Sequence, residues 1–97
     1  MRDDRFEWDD EKARANLAKH KIAFDDAKHI FDAVNVNEDL DVTMDYGEDR
    51  FRAVALVNGR LLAVFYVLRG RRRRLISARP ATRTEARDYA EKFAPKR

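Results

Sequence analysis

The 97-residue chain predicts a single domain over residues 1–97, and its 40% share of charged residues exceeds the level of about 25% typical of soluble proteins. No apolar run approaches the roughly 20 residues that span a bilayer, and the acidic start is unlike a signal peptide, so the cytoplasm is the expected location. The absence of cysteine excludes disulfides and thiolate metal sites, and two histidines are too few for a zinc site, so we expect no metal and no cofactor.

Charge is divided unevenly along the chain. Residues 50–97 hold 14 of the 21 basic residues and only three acids, a balance of +11, whereas residues 1–49 hold 15 acids and seven bases, a balance of −8. The net charge of +3 hides this division. A strongly basic half is typical of a protein that meets a polyanion on one side.

Two helices are predicted at the N-terminus. Asp9 is a suitable N-cap for a helix over residues 9–20, because acidic residues follow it in the first turn and basic residues occupy the last turn. A second, shorter helix is predicted after the cap residue Asp25, with a narrow apolar stripe that ends at Phe31.

Strand patterns dominate the middle of the chain. Alternating residues over 42–46 predict one exposed strand, and residues 51–57 and 60–68 predict a hairpin around Asn58-Gly59, the dipeptide most typical of a two-residue turn. The second of these strands is apolar throughout its later part, which favours a central position with both faces buried. A further strand is predicted over residues 73–78.

The chain ends in a predicted amphipathic helix. Thr82 and Glu85 have the spacing of a capping box, and the apolar positions that follow recur at helical intervals through Phe93. The predicted architecture is α+β, with two N-terminal helices, an antiparallel sheet of three or four strands, and a C-terminal helix. We expect the helices to cover one face of the sheet.

Four consecutive arginines, Arg71 to Arg74, precede and enter the last predicted strand. Alternate residues of a strand point to opposite faces, so one of Arg73 and Arg74 is expected to face the helices and the other the open face. The run has two interpretations: a charged edge that discourages aggregation, or a phosphate-binding surface. The second gains support from further arginines expected near the same end of the sheet: Arg69, Arg79, Arg83 and Arg87.

If the chain is an enzyme that transfers protons, the residues that do so must be other than these arginines. Histidine titrates near neutral pH, so His20 is a candidate acid or base, although at a helix C-terminus it could instead cap carbonyl groups. Tyr89 lies on the apolar stripe of the last helix and is expected to pack in the core with its hydroxyl at the rim. Glycine-rich phosphate loops, Ser-His-Asp order and paired-carboxylate spacing do not occur, so NTPase and protease functions have no support.

Two sequence blocks together resemble BrnT-type toxins. The first block begins with Phe6-Glu7-Trp8-Asp9 and continues through Lys19-His20 to Phe31; the second runs from Arg50-Phe51 through Arg74-Leu75-Ile76-Ser77-Ala78-Arg79 to Tyr89. The resemblance covers residues 6–90. Where many members have Lys-His-Gly, this chain has Lys-His-Lys, so a turn glycine is missing after His20.

The resemblance implies a ribonuclease toxin of a type II toxin–antitoxin pair with a RelE-like fold. It implies RNA as substrate and a BrnA-type ribbon-helix-helix antitoxin as partner, with operator DNA contacted only through that antitoxin and no membrane partner. Such a toxin would inhibit translation and growth until its antitoxin neutralised it.

RNA can be cleaved without a metal ion when its own 2′-hydroxyl attacks the adjacent phosphorus. Such a reaction needs a base for that hydroxyl, positive charge at the phosphate, and an acid for the departing 5′ oxygen. We assign Arg79 and Arg83 as phosphate clamps, His20 as acid or base, and Tyr89 as a second proton donor. Further RNA contacts are expected from four other arginines: Arg50, Arg72, Arg74 and Arg87. Two alternatives remain: a nucleic-acid-binding module without catalysis, and a protein-interaction domain whose arginines meet an acidic partner.

Overall fold

The computed structural model describes residues 1–41 and 47–94. Five strands form one sheet in the order β1-β5-β4-β3-β2, with helices between β1 and β2 and after β5. The elements in chain order are β1 (Phe6–Glu7), α1 (Asp10–His20), α2 (Phe24–Ala27), a 3-10 helix (Lys28–Asp32), β2 (Asn37–Leu40), β3 (Arg50–Val57), β4 (Arg60–Arg69), β5 (Arg72–Pro80) and α3 (Arg83–Phe93).

Helix α1 confirms the first helix prediction. The Asp9 carboxylate accepts hydrogen bonds from the backbone N–H groups of Glu11 and Lys12, which lowers the pKa of Asp9. The helix ends at His20, and the C-cap residue Lys21 has a φ of 60°, in the left-handed region that normally favours glycine. Lysine therefore performs the turn that the missing glycine would make, at a conformational cost of roughly 1–2 kcal/mol.

The second helix is shorter and differently capped than predicted. Helix α2 has only four residues, its N-cap is Ala23 rather than Asp25, and a 3-10 helix continues it to Asp32. The apolar stripe nevertheless faces the core, because Phe24 and Ile30 are 1% and 0% exposed. The 3-10 helix keeps the apolar stripe turned towards the core. The predicted cap at Asp25 is therefore wrong, and the predicted buried face is confirmed.

The central hairpin is confirmed. Asn58 and Gly59 have φ values of 52° and 78°, and β3 pairs with β4 in antiparallel register on either side of them. Strand β4 is the middle strand of the sheet. Its residues Val64 and Val67, which point to opposite faces, are 0% and 2% exposed, so it is buried on both faces as predicted.

The predicted antiparallel sheet of three or four strands is corrected to a mixed sheet of five. Strand β1 has two residues and runs parallel to β5, and β2 is an antiparallel edge strand of polar sequence. A two-residue strand has no periodicity, and Asn, Glu and Asp are depleted in strands, so neither element gave a sequence signal. The strand predicted over residues 42–46 lies outside the described residues.

Helices occupy both sides of the sheet, not one as predicted. The core lies on the side of α1, α2 and the 3-10 helix, where Phe24 and Ile30 pack with Val64 and Leu75. Helix α3 begins over the opposite face, where its residue Glu85 contacts side chains of β3 and β5. No helix within residues 1–41 and 47–94 is long and apolar enough to span a membrane.

Candidate nucleic-acid interface

The sheet face opposite the core collects six arginines, and we call it the arginine face. Strand register places them there: Arg52 pairs with Phe65, which pairs with Ser77, and residues two positions away along each strand share the same face. The arginines of this face are Arg50, Arg52, Arg69, Arg72, Arg74 and Arg79.

The four-arginine run divides between the two faces, as alternation predicts. Arg74 points to the arginine face, where its Nη1 donates to the Glu7 carboxylate at 2.7 Å. Arg73 points to the core side, where its guanidinium carbon lies 4.4 Å from the centre of the Phe31 ring and 5.4 Å from that of Tyr66. Arg73 therefore acts as a cation between aromatic rings, and it is not part of the open surface.

Tyr66 belongs to the same network on the core side. Its hydroxyl donates to the Glu38 carboxylate, and its ring stacks on Phe51 and meets the edge of Phe31. Burial and the hydrogen bond to Glu38 raise the pKa of Tyr66 to about 12. This tyrosine is consequently a neutral structural group.

Arg72 and Arg69 lie at the end of the arginine face near the β4–β5 turn. The Arg72 Nε donates to the backbone carbonyl of Asp3 at 2.6 Å, and Arg69 forms a two-contact ion pair with Glu48. That pairing lowers the pKa of Glu48. The Arg69–Glu48 ion pair is well exposed and adds little to stability.

Glu85 is the electrostatic centre of the arginine face. The residue is 5% exposed and accepts from Arg79 through both oxygens, at 2.7 and 3.0 Å. It also accepts from Arg52 at 3.2 Å and from the Thr82 backbone N–H at 2.9 Å, which completes the predicted capping box. Burial alone would raise the pKa of Glu85, but the hydrogen bonds from Arg79 and Thr82 outweigh it and the pKa is lowered.

The ion-pair chain continues beyond Glu85. Arg52 donates to both oxygens of Asp39 on the edge strand β2, at 3.2 and 2.7 Å. The hydrogen bond from Arg52 to Asp39 is the main reason that the pKa of Arg52 is raised. Two arginines and two carboxylates thus alternate across the sheet from β2 to β5, and they hold both guanidinium groups in fixed places.

Arg79, which the sequence predicts to be a phosphate clamp, has both of its terminal nitrogens hydrogen-bonded to protein groups. Its two terminal nitrogens bond the Glu85 carboxylate, and one also donates to the Pro80 carbonyl at 3.2 Å. The guanidinium carbon lies 5.1 Å from the centre of the Phe65 ring, and 28% of the side chain remains exposed. Glu85 and Phe65 fix the position of Arg79 at the solvent boundary.

His20 lies in a different but neighbouring depression between α1 and β5, with a volume of about 250 Å³. Asn16 forms its floor: the side-chain amide donates to the carbonyls of Ile22 and Ala78, and its oxygen accepts from the Ala78 N–H. Ser77 also lines the depression and is the register partner of Phe65. Four further residues line the depression: the two lysines Lys12 and Lys19, and the apolar residues Ala15 and Ile76.

Among the described residues that line this depression, none belongs to α3, which carries three of the predicted site residues. Arg83 and Arg87 are exposed on α3, where Arg87 approaches only Asp88, at 4.0 Å, among the ion pairs of the described residues. The Tyr89 hydroxyl donates to the Asn35 carbonyl at 3.2 Å, on the β2 side of the sheet. His20 is on the β5 side, so the two predicted proton donors do not meet at one phosphate.

Three residues of the site escaped the sequence analysis: Glu85 as an arginine partner, Phe65 and Asn16. Phe65 was predictable from the sequence, because the two-residue turn at Asn58-Gly59 fixes the pairing of the two strands and places Phe65 opposite Arg52. Glu85 was recognised as a cap, but its contact with β3 depends on how α3 crosses the sheet. Among residues 1–41 and 47–94, no group of three or more acidic or histidine side chains is arranged to hold a metal.

Comparison with known protein families gives one match. A family model described as "Ribonuclease toxin, BrnT, of type II toxin-antitoxin system" matches residues 8–85, well over half of the chain. The matched segment runs from Trp8 to Glu85 and so includes His20, the whole sheet from β2 to β5 and the start of α3. A search among curated proteins found no significant match.

Proposed function

Because the chain belongs to the BrnT family of ribonuclease toxins of type II toxin–antitoxin systems, we propose that it cleaves RNA on the arginine face. The reaction is attack of the RNA 2′-hydroxyl on the adjacent phosphorus, without a metal ion. The observation that carries the proposal is the convergence of six arginines from three strands on one face, with Arg79 held at the solvent boundary by Glu85 and Phe65.

The arginines supply the positive charge that the reaction needs. A phosphorane carries more negative charge on its oxygens than the phosphodiester does, so fixed guanidinium groups stabilise it more than the ground state. Arg79 lies two residues after Ser77, which lines the His20 depression, and on the same face of β5 as Ser77. Arg74 assists from the same strand and face, two residues before the bulge of β5 that separates it from Ser77.

Proton transfer is assigned to His20. Arginine, whose pKa lies above about 12, is a poor proton carrier at neutral pH, whereas histidine titrates in the working range. The depression that His20 lines also contains Lys12, Lys19 and Ser77, so an RNA phosphate has positive charge on both sides of it. Tyr89 lies on the opposite flank and is left out of this assignment.

The outer arginines extend the binding surface. Arg83 and Arg87 are exposed on the first turns of α3, and Arg50 and Arg72 lie towards the other end of the sheet face. We assign these four to backbone phosphates of the bound RNA, where each guanidinium contributes affinity that falls with salt. Arg83 becomes a flanking contact in place of the second clamp that the sequence suggested.

The family context supports the remaining parts of the proposal. Cleavage in the cytoplasm inhibits translation and growth until a BrnA-type ribbon-helix-helix antitoxin binds the toxin, and operator DNA is contacted only through that antitoxin. A sheet with helices between its first and second strands and one helix after its last strand is compatible with the RelE-like fold that the resemblance implies. These statements rest on the family and not on a particular contact.

The test replaces Arg79 and His20 separately. We expect Arg79→Ala to reduce RNA cleavage on the order of 10²–10³-fold, as for loss of one positioned donor, and to abolish growth inhibition. Arg60→Ala, which removes the same charge from the exposed hairpin, should remain toxic. His20→Gln should slow single-turnover cleavage while the exposed His29→Gln does not.

Folding of each variant is checked by thermal unfolding, because Glu85 keeps only Arg52 and Thr82 as partners in the Arg79 variant. A folded Arg79→Ala protein that stays fully toxic at equal expression would refute the assignment. If wild-type protein retains RNA but leaves it whole, the chain is a binding module without catalysis.

A further inference from the structure

Phe65 has no role in the cleavage chemistry, yet it lies at the centre of the arginine face. Among the described strand residues, it is the one aromatic side chain that points to this face. Its register partners are Arg52 on β3 and Ser77 on β5, and the Arg79 guanidinium carbon is 5.1 Å from its ring centre. Every other aromatic ring of the strands packs on the core side, namely Phe6, Phe51 and Tyr66.

The ring stands above its neighbours on the same strand. Ala63 and Val67, the residues two positions before and after Phe65, are 0% and 2% exposed, while Phe65 is only partly buried. Part of the Phe65 ring therefore stays accessible, so an apolar surface remains in the middle of a basic face.

An aromatic ring surrounded by arginines on an open sheet is suited to single-stranded RNA. Unpaired bases stack on aromatic rings and on guanidinium planes, while neighbouring arginines bind the phosphates on either side. Bases inside a duplex are already stacked and cannot reach such a ring. Stacking needs only a π-face, so the contact tolerates any base.

We propose that Phe65, together with the guanidinium of Arg79, is a platform on which one nucleobase of single-stranded RNA stacks. The inference rests on the proposed ribonuclease function and deepens it, because it assigns the substrate class and the contact that sets the register of the strand. A base stacked at Phe65 fixes the adjacent phosphodiester relative to Arg79 and the His20 depression. Phe65 is a binding residue in this account and takes no part in proton transfer.

The first experiment measures where along an RNA the platform acts. Wild-type protein is titrated with a short RNA that carries 2′-O-methyl groups and so cannot be cleaved, and with a series in which one base at a time is removed. We expect one position, next to the site cleaved in the unmodified RNA, where loss of the base weakens binding about tenfold, within the range of about 1–3 kcal/mol measured for base stacking.

The second experiment removes the ring. Phe65→Leu keeps an apolar side chain without a π-face and should weaken binding of the intact RNA about tenfold, whereas Phe65→Tyr keeps the ring and should bind as wild type does. Phe93→Leu is the matched control, since Phe93 is a partly buried aromatic residue of α3 whose ring packs on Tyr89. It should leave binding unchanged.

Combining base removal in the RNA with Phe65→Leu in the protein tests whether that base and that ring contact each other. If Phe65 stacks on the critical base, Phe65→Leu should bind intact RNA and RNA lacking that base equally well, because the contact is already lost. Equal affinity of Phe65→Leu and wild type for intact RNA would overturn the platform while leaving cleavage as proposed. Wild-type protein that neither binds nor cleaves RNA would overturn the proposed function as well. Should Phe65→Leu not fold, a flat response of wild type across the base-removal series would still refute the platform.

Discussion

At the scale of single residues, Glu85 shows how one side chain can serve local and long-range structure together. As the third residue of α3 it caps the helix through the Thr82 N–H, and as a buried carboxylate it binds Arg52 and Arg79 from two strands. Removing a partner from a buried charge is costly, so the helix start and the arginine positions depend on one another. A single carboxylate thus holds two arginines of the arginine face and the first turn of α3.

This dependence predicts a pH effect. Glu85→Gln keeps a side chain able to complete the capping box but removes the charge, and at neutral pH it should lower the free energy of unfolding by about 2 kcal/mol. Because the folded-state pKa of Glu85 is lowered, its contribution is present above the ordinary glutamate pKa and is lost as pH falls through the lowered value. The difference in free energy of unfolding between the two proteins, measured with denaturant from pH 7 into the acid range, should therefore shrink as the pH falls; a difference that stays constant would contradict the ion-pair account.

At the scale of elements, Asn16 joins α1 to β5. Strand β1 pairs with Arg73 and Arg74 alone, so no strand of the described residues lies beside the later edge of β5. The Asn16 amide takes the place of that strand, because it bonds both the N–H and the carbonyl of Ala78 and also the Ile22 carbonyl. One buried side chain thereby positions the helix that ends at His20.

Asn16→Ala should consequently destabilise the protein by about 2–4 kcal/mol, since it leaves buried backbone groups of Ala78 without a partner. Ser77→Ala is the matched control: it removes only a contact of 3.4 Å to the same amide and should change stability by less than about 0.5 kcal/mol. Thermal and urea unfolding measure both variants. An Asn16→Ala protein as stable as wild type would show that α1 is held to β5 by other contacts.

Sequence reasoning succeeded where the signal was local. Caps at Asp9 and Thr82, the Asn58-Gly59 hairpin and the central buried strand depend on neighbours in the chain, and all are confirmed. It failed for β1 and β2, since these strands exist only because β5 and β3 offer them an edge. The ion pair between Glu85 and Arg52 was equally unpredictable from the sequence, because the two residues are 33 positions apart and meet only through the tertiary fold.

At the scale of the whole molecule, the acidic and basic halves of the chain fold against each other. Acids of the first half bind arginines of the second: Glu7 pairs with Arg74, Asp39 with Arg52, and Glu48 with Arg69. The +11 of residues 50–97 is therefore partly neutralised on the arginine face itself. What remains is a set of arginines that are ordered by carboxylates before any RNA is bound, which lowers the entropy lost on binding.

The most direct test of this account is the chemistry of the RNA ends. Purified protein is incubated with a single-stranded RNA in the presence of EDTA, and the products are analysed by mass spectrometry beside an RNA with one 2′-deoxynucleotide at the cleaved position. Attack by the 2′-hydroxyl predicts a 2′,3′-cyclic phosphate on the upstream product, a 5′-hydroxyl on the downstream product, and no cleavage at the deoxy position. Cleavage that requires a divalent metal, or that proceeds equally at the deoxy position, would contradict the account.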